Sequence, residues 1–283
     1  MDIEKVKIIA DSSADTLHLN GVPFSVAPLK IITSEKEYVD NEKLNVIKMA
    51  DELKAYSGKS SSACPSPSDW LENFGNAQYV FCITITSGLS GSYNSAVIAK
   101  RDYEEKYPER KVFVIDSLSA GPELVLIIEK LRDLILSGLE FNKVCELILD
   151  YKAKTALLFM LESMRNLANN GRVNPFAAKA AGILGIRAIG KASDEGTLEL
   201  LEKCRGEKKA LLRIVSFMRS LGSTGGKVRI GHCSNETAAH ELAIYLKKEF
   251  KNLDIKIYSL RGLCSFYAEK GGLLIGFEKM PVF

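Results

Sequence analysis

The sequence predicts an α/β fold in two domains. Short apolar segments of strand length alternate with amphipathic segments of helical length, a pattern typical of a largely parallel sheet flanked by helices. The chain has 283 residues, which exceeds the commonest size of a single domain. The pattern changes after residue 155, so we predict an N-terminal α/β domain over residues 1–155 and a C-terminal α/β domain over 156–283.

The predicted elements of the first domain alternate along the chain. Apolar runs predict strands at residues 6–10, 79–85 and 111–115, and apolar spacing close to 3.6 predicts helices at 45–56, 93–107, 123–137 and 141–154. In the second domain we predict strands at 157–161, 186–191, 197–202, 227–232, 254–260 and 273–278. Helices are predicted at 175–184, which is rich in small residues, and at 208–221 and 236–250.

Composition excludes several classes of protein. With 46% hydrophobic and 26% charged residues, the chain resembles ordinary soluble globular proteins. The net charge of +3 comes from scattered basic residues, which argues against a nucleic-acid partner. The six cysteines lie far apart in sequence, which disfavours a disulfide framework or a structural zinc site, and no apolar run reaches membrane length. A reducing cytoplasm fits this composition best.

Three predicted strands are followed by segments rich in Ser, Asp and Gly, at residues 11–15, 86–92 and 116–121. In an open parallel sheet the ligand crevice lies beyond the carboxyl ends of the strands, so we expect these segments to converge on one rim. A Gly- and Ser-rich loop that leads into a helix offers N–H donors to a carboxylate or phosphate. The alternative is equally supported at this point: Ser90 or Ser92 caps the helix and the glycines turn the chain.

A second hydroxyl-rich segment, residues 60–67, reads Ser-Ser-Ser-Ala-Cys-Pro-Ser-Pro. Two prolines stiffen the turn, so it can present Ser62 towards a neighbouring rim. Taken alone, the segment is more typical of a loop that enters a helix.

Together these segments resemble the DegV family, which includes the fatty-acid-binding subunits of bacterial fatty acid kinase. The likeness runs over nearly the whole chain, and the ordered set is specific although no single segment is. The segments that carry it are 11–15 (Asp-Ser-Ser-Ala-Asp), 62–67 (Ser-Ala-Cys-Pro-Ser-Pro), 88–93 (Gly-Leu-Ser-Gly-Ser-Tyr), 116–117 (Asp-Ser) and 170–173 (Asn-Gly-Arg-Val).

The resemblance implies two α/β domains with a long-chain fatty acid held between them. Its carboxylate would rest on the hydroxyls of Ser62 and Ser90, with help from backbone donors beside Ser90 such as Gly91. An ATP-binding fatty acid kinase subunit would phosphorylate the bound carboxylate to an acyl phosphate, so that this chain presents substrate and needs no cofactor or metal. Transient membrane contact is compatible with that role. Arg172 would serve the head group or the docking surface; a surface arginine in a turn is the equal alternative.

Two departures from the family pattern affect the site. Tyr267 stands where family members commonly have a His that reaches the carboxylate. A Tyr hydroxyl can donate a hydrogen bond but carries no positive charge. Cys64 replaces a Gln and is otherwise an inert loop thiol. The apolar lining could come from Phe159 to Leu161 and from residues 176–184, although core packing explains these equally well.

A serine hydrolase or acyltransferase that uses Ser90 as nucleophile is the competing class. Residues 88–92 approach the Gly-x-Ser-x-Gly elbow but have Ser92 in place of the last Gly. The three histidines, His18, His232 and His240, follow no triad pattern. A nucleotide-binding enzyme is disfavoured further, because both common glycine-rich phosphate motifs are missing.

Overall fold

The computed structural model describes residues 1–174 and 185–279. Its strands, in chain order, are β1 (Val6–Asp11), β2 (Phe24–Ala27), β3 (Lys30–Ile32), β4 (Glu37–Val39), β5 (Ser61–Ala63), β6 (Tyr79–Thr84), β7 (Lys111–Asp116), β8 (Thr155–Leu161), β9 (Ile186–Ala192), β10 (Leu198–Arg205), β11 (Gly226–His232), β12 (Leu253–Ser259) and β13 (Leu273–Glu278). Its α-helices are α1 (Val46–Ala55), α2 (Pro67–Phe74), α3 (Ser92–Lys106), α4 (Pro122–Leu136), α5 (Phe141–Lys152), α6 (Arg165–Asn169), α7 (Glu207–Ser220), α8 (Glu236–Glu249) and α9 (Gly262–Ala268).

The first sheet is parallel, with the strand order β2–β1–β6–β7. Helices cover both of its faces, so its central strands are apolar on both sides. Ile8 and Ile83 pack with α4, whereas Ile9 and Val80 pack in the cluster on the opposite face. This confirms the predicted α/β class and the predicted parallel first sheet.

The second sheet has six strands in the order β10–β9–β8–β13–β11–β12. Its neighbouring strands are antiparallel apart from the β11–β12 pair, so the expectation of largely parallel sheets is wrong for this half. The strands predicted at residues 186–191 and 197–202 do pair, as the antiparallel hairpin of β9 and β10. Helices α7 and α8 cover one face with a continuous apolar core.

Helix α4 lies between the two sheets. It packs on β1 and β6 of the first sheet and on β8, β11 and β13 of the second, which explains why apolar side chains surround much of its circumference. Its Glu129 accepts hydrogen bonds from Arg229 of β11, at 3.1 Å to Nε and 2.6 Å to Nη2. Arg229 is only 1% exposed, so a buried ion pair holds α4 against β11 of the second sheet.

A small antiparallel sheet, β4–β3–β5, was not predicted from the sequence. Its strands have three residues each, too few to show a period of two. Ser62 pairs with Ile31 in this sheet, so the prediction that Ser62 belongs to a loop is wrong. Helices α6 and α9, with five and seven residues, are also short and were also missed. The predicted helix at 175–184 lies outside the described residues.

All strands of the six-stranded sheet lie at or after Thr155, close to the boundary proposed from the sequence, which stays a prediction. The later half of the chain nevertheless returns to the first: α9 packs on α1, β3 and the 3-10 turn at Ser12–Ala14. Within the described residues, no helix combines the length and the apolar character needed to cross a membrane.

Candidate functional site

A cavity of about 320 Å³ lies between the two sheets. Most of its walls are apolar, and its polar side chains are Ser62, Ser90, Arg172 and Tyr267. The remaining lining residues are Leu29, Ala63, Cys64, Ile85, Leu89, Gly91, Ala120, Leu157, Phe159, Leu161, Leu167, Leu198, Leu263, Cys264, Ala268 and Leu274. A largely apolar cavity with a few polar side chains is typical of a small-molecule binding site.

Ser62 and Tyr267 meet in this cavity. Their hydroxyl oxygens are 2.6 Å apart although the residues are separated by 205 positions in the chain. The ladder between β3 and β5 fixes the backbone of Ser62. The Tyr267 ring packs edge-on against Phe266, with 4.8 Å between ring centroids. The structure therefore brings together two of the residues that the sequence had placed at a carboxylate.

Two buried carboxyl groups of the N-terminal half hold the beginning of α9, which carries Tyr267. Asp40 accepts hydrogen bonds from the N–H groups of Gly262, at 3.0 Å, and Leu263, at 2.8 Å. Asp15 accepts one from the N–H of Arg261, at 2.7 Å. Burial raises the pKa of Asp15 to about 8 and also raises the pKa of Asp40.

Ser90 precedes α3, whose N-cap residue is Gly91. The N–H of Ser92 donates to Ser90 Oγ at 3.3 Å, so Ser90 does part of the work of a helix cap, as the alternative interpretation expected. The Ser92 hydroxyl instead donates to Asp11 at 2.6 Å. Because Ser90 Oγ acts only as an acceptor in its contact with Ser92, its own O–H can still donate into the cavity.

Cys64, which follows Ser62 in the chain, lies next to Gly91 in the segment that carries Ser90. A Cβ atom at Gly91 would lie 3.2 Å from Cys64 Sγ, so the missing side chain at position 91 lets the thiol lie directly over the α3 N-terminus. Cys64 is half-buried and lines the cavity. The sequence did not indicate this proximity, which depends on how β5 meets the loop before α3.

Arg172 is half-buried beside the same loop. Its Nε donates to the carbonyl of Leu89 at 3.2 Å, and its Nη1 donates to the carbonyl of Asn170. Among the described residues no carboxylate lies within ion-pair distance of it. Its positive charge is therefore held beside Ser90 by neutral carbonyl groups, at the polar end of the cavity rather than on an open surface.

The three Ser- and Asp-rich segments do converge, but most of their polar groups bond to one another. The Asp11 carboxylate is fully buried and accepts hydrogen bonds from Ser13, Ile85 and Ser92. Burial raises its pKa. The expectation that these hydroxyls are available on a rim is wrong for Ser13 and Ser92, which support the loop from inside.

The predicted apolar lining is correct in part. Phe159 and Leu161 line the cavity, whereas Met160 points to the opposite face of β8 and packs in the core beneath α7 and α8. Side chains alternate across a strand, so these three consecutive residues cannot share one face. Residues 176–184 lie outside the described residues. The contributions of Leu29, Leu198 and Leu263 were not foreseen.

The geometry gives no support to a Ser90 nucleophile. None of the three histidines lines the cavity in the described part of the chain. His18 is exposed, His240 lies 3.6 Å from Glu236 on the surface of α8, and His232 is buried at the end of β11. Ser90 therefore lacks an imidazole base.

The fold is thus α/β, with a mostly apolar cavity between its two larger sheets. A family model described as "Uncharacterised protein, DegV family" matches residues 5–279. The chain belongs to the DegV family.

Relatives from several bacteria are similar over almost the whole chain. A DegV domain-containing protein of Streptococcus pneumoniae strain R6 is 45% identical over 276 residues, which is 96% of this chain and 98% of that protein. A DegV family protein from Eubacterium eligens, loaded with heptadecanoic acid, has a TM-score of 0.95 at 42% identity and covers 97% of this chain and 100% of its own. The Fatty Acid Kinase (Fak) B3 protein of S. pneumoniae, loaded with linoleic acid, has a TM-score of 0.95 at 44% identity, with 97% and 99% covered.

Proposed function

We propose that this protein binds a long-chain fatty acid, with the carboxylate at Ser62, Ser90 and Tyr267 and the tail in the apolar cavity. The observation that carries the proposal is the 2.6 Å contact between Ser62 and Tyr267 at the polar end of a cavity whose other walls are mainly apolar. A carboxylate only accepts hydrogen bonds, so both hydroxyls can turn their protons towards it. Such charge-assisted bonds are stronger than the hydroxyl pair that they replace.

The neighbouring groups complete this carboxylate site. The N-terminus of α3 at Gly91 favours an anion, and Cys64 Sγ lies beside it on the side where a Cβ of residue 91 would be. Arg172 supplies the one positive charge among the described lining residues. A tyrosine hydroxyl at position 267 can donate a hydrogen bond but cannot carry a positive charge.

The tail provides most of the affinity. Each buried CH₂ contributes roughly 0.8 kcal/mol, so a chain of about sixteen carbons contributes on the order of 10 kcal/mol before ordering costs. The cavity of about 320 Å³ lies at the lower end of the range of roughly 300–1,000 Å³ found for ligand pockets. The hydroxyls then determine orientation more than affinity.

We further propose that the bound fatty acid is presented in the cytoplasm to an ATP-binding kinase subunit, which transfers phosphate to the carboxylate. The names of the similar structures support this, since one is called a Fatty Acid Kinase B protein and two hold fatty acids. The side chain of Ser61 and the backbone of Gly91 are exposed next to the proposed carboxylate position, so a second protein can approach it there.

Native mass spectrometry of the mildly purified protein tests the binding step. We expect an added mass equal to a long-chain fatty acid, and binding of added oleic acid after delipidation. Ser90→Ala should weaken oleic acid binding, while Ser137→Ala, which removes a hydroxyl bonded to Leu134 O at the distant end of α4, should not. A clean apo mass together with no uptake of oleic acid would overturn the proposal.

A further inference from the structure

We propose that Asp11 is a positioning residue for the carboxylate site: it fixes both ends of the loop that carries Ser90 and Gly91 without reaching the ligand. This inference rests on the proposed function. Asp11 is the last residue of β1 and is fully buried. It does not belong to the lining of the cavity.

Both ends of the loop from Ile85 to Ser92 donate hydrogen bonds to the same oxygen atom of Asp11. Asp11 Oδ2 accepts a hydrogen bond from the N–H of Ile85 at 2.8 Å and another from the hydroxyl of Ser92 at 2.6 Å. The other oxygen, Oδ1, accepts from the N–H and the hydroxyl of Ser13. Ser90 and Gly91 directly precede Ser92, so the position of Asp11 Oδ2 determines where they lie.

The middle of the same loop is held by the second half of the chain. Thr86 Oγ1 donates to the carbonyl of Gly196 at 2.8 Å and accepts from the N–H of Gly88 at 3.1 Å. A Cβ atom at Gly88 would lie 3.1 Å from the carbonyl oxygens of Glu195 and Gly196. Because its ends are held by Asp11 and its middle by this turn, the loop is held on both sides of Ser90 and Gly91.

A carboxylate suits this task better than an amide. It offers two oxygens that only accept hydrogen bonds, and four donors converge on Asp11. In Asp11→Asn the NH₂ group must face at least one of these donors, and a buried donor without an acceptor is costly. The affected donors lie either at Ser13 or at the two ends of the Ser90 loop.

The test compares two ligands with the same tail. Oleic acid uses the carboxylate site, whereas oleyl alcohol has the same tail and no charge. For Asp11→Asn we expect the ratio of oleic acid to oleyl alcohol affinity to fall by about tenfold. A merely structural loss would weaken both ligands alike and leave the ratio unchanged, which would overturn the proposal.

Two further variants keep the test decisive if Asp11→Asn folds poorly. Ser92→Ala removes the same hydrogen bond from the other side and should lower the ratio in the same direction. Glu123→Gln is the matched control: Glu123 is also buried and accepts a hydrogen bond from Thr155 at 2.6 Å, and neither residue lines the cavity. It should lower the melting temperature without changing the ratio; an equal change in the ratio would contradict a specific role for Asp11.

Double-mutant cycles identify the route of the effect. The losses of oleic acid affinity in Asp11→Asn and Ser90→Ala should be non-additive, because Asp11 acts through Ser90, whereas those of Asp11→Asn and Tyr267→Phe should add. Additivity with Ser90→Ala would refute the positioning role. A parent protein that fails to take up oleic acid would instead refute the proposed function itself.

Discussion

Tyr267 Oη lies 2.6 Å from Ser62 Oγ, and the two hydroxyls form the polar contact inside the cavity. Tyr267→Phe removes one donor and keeps the ring that packs on Phe266. We expect oleic acid affinity to fall roughly ten- to hundredfold, the cost of a lost hydrogen bond to a charged group, with little change in the affinity for oleyl alcohol. Isothermal titration with both ligands measures this; an equal loss for both would show that Tyr267 contacts the tail.

Tyr267→His provides a pH-dependent counterpart. An imidazole with a pKa near 6.5 becomes a cation in mild acid, so oleic acid affinity should rise in the variant as the pH falls from about 8 to about 6. The parent, which has no imidazole at position 267, serves as the control. A variant with the same pH profile as the parent would place residue 267 away from the carboxylate.

Cys64 reports on occupancy of the site. Its half-buried thiol lines the cavity against Gly91, so a bound head group should cover it. We expect oleic acid to slow the alkylation of Cys64 by iodoacetamide about tenfold or more. Peptide mass spectrometry measures the alkylated fraction. Cys145 is the internal control: it is also half-buried but lies outside the cavity, and burial raises its pKa to about 11. Equal protection of both thiols would indicate global tightening instead.

Gly196 secures the turn between β9 and β10 to the Ser90 loop. Its φ is +74°, and a Cβ atom there would lie 2.0 Å from Thr86 Oγ1. Gly196→Ala should therefore cost about 2–4 kcal/mol in the free energy of unfolding. Gly138→Ala has a similar φ of +77° and an open surrounding, so it should cost only about 1 kcal/mol. Urea unfolding of both variants checks the difference.

Asp15 should make the stability of the protein depend on pH. Burial raises its pKa from 3.8 to about 8, so between these values the folded state binds more protons than the unfolded state. The contribution of Asp15 is therefore full below about pH 4 and is lost as the pH rises towards 8. Asp11, Asp40 and Glu123 act in the same direction, because burial also raises their pKa values.

Asp15→Asn should remove part of this slope, because an amide resembles the protonated carboxyl group at every pH. The free energy of unfolding of the variant, relative to that of the parent, should therefore be higher at pH 8 than at pH 5. Urea unfolding at both pH values measures this. Asp150→Asn, a change at an exposed carboxylate paired with Lys154, is the control and should leave the slope unchanged. An identical slope in Asp15→Asn and the parent would contradict the raised pKa.

The long helices and strands could be predicted because the periodicity of their apolar residues is strong. The strand at β1, the helices α3 and α4, and the β9–β10 hairpin appear where apolar spacing predicted them. The short strand that carries Ser62 and the short helices α6 and α9 left no comparable signal. The direction of the strands in the second sheet was mispredicted, because an antiparallel strand buried on both faces is as apolar as a parallel one.

The candidate site could also be predicted only in part. Ser62, Ser90, Gly91, Arg172 and Tyr267 could be selected from motifs, and the structure places all five around one cavity. The hydrogen bonds that position these residues could not be predicted, because they join segments that are distant in the sequence. Asp40 to the start of α9 and Asp11 to Ser92 are examples. Nothing in the local sequence distinguishes a carboxylate that binds a backbone N–H from one that faces solvent.

The distance in sequence between Ser62 and Tyr267 has a consequence for synthesis of the protein. A ribosome that adds about 5–20 residues per second needs roughly 10–40 s to make the 205 residues that separate them. During that interval the strands and helices of the first sheet can already form, yet the Leu29 and Ile85 side of the cavity has no α9 to cover it. A nascent chain therefore exposes an uncovered apolar surface until α9 has been synthesised and Leu263 can pack against Leu29 and Ile85.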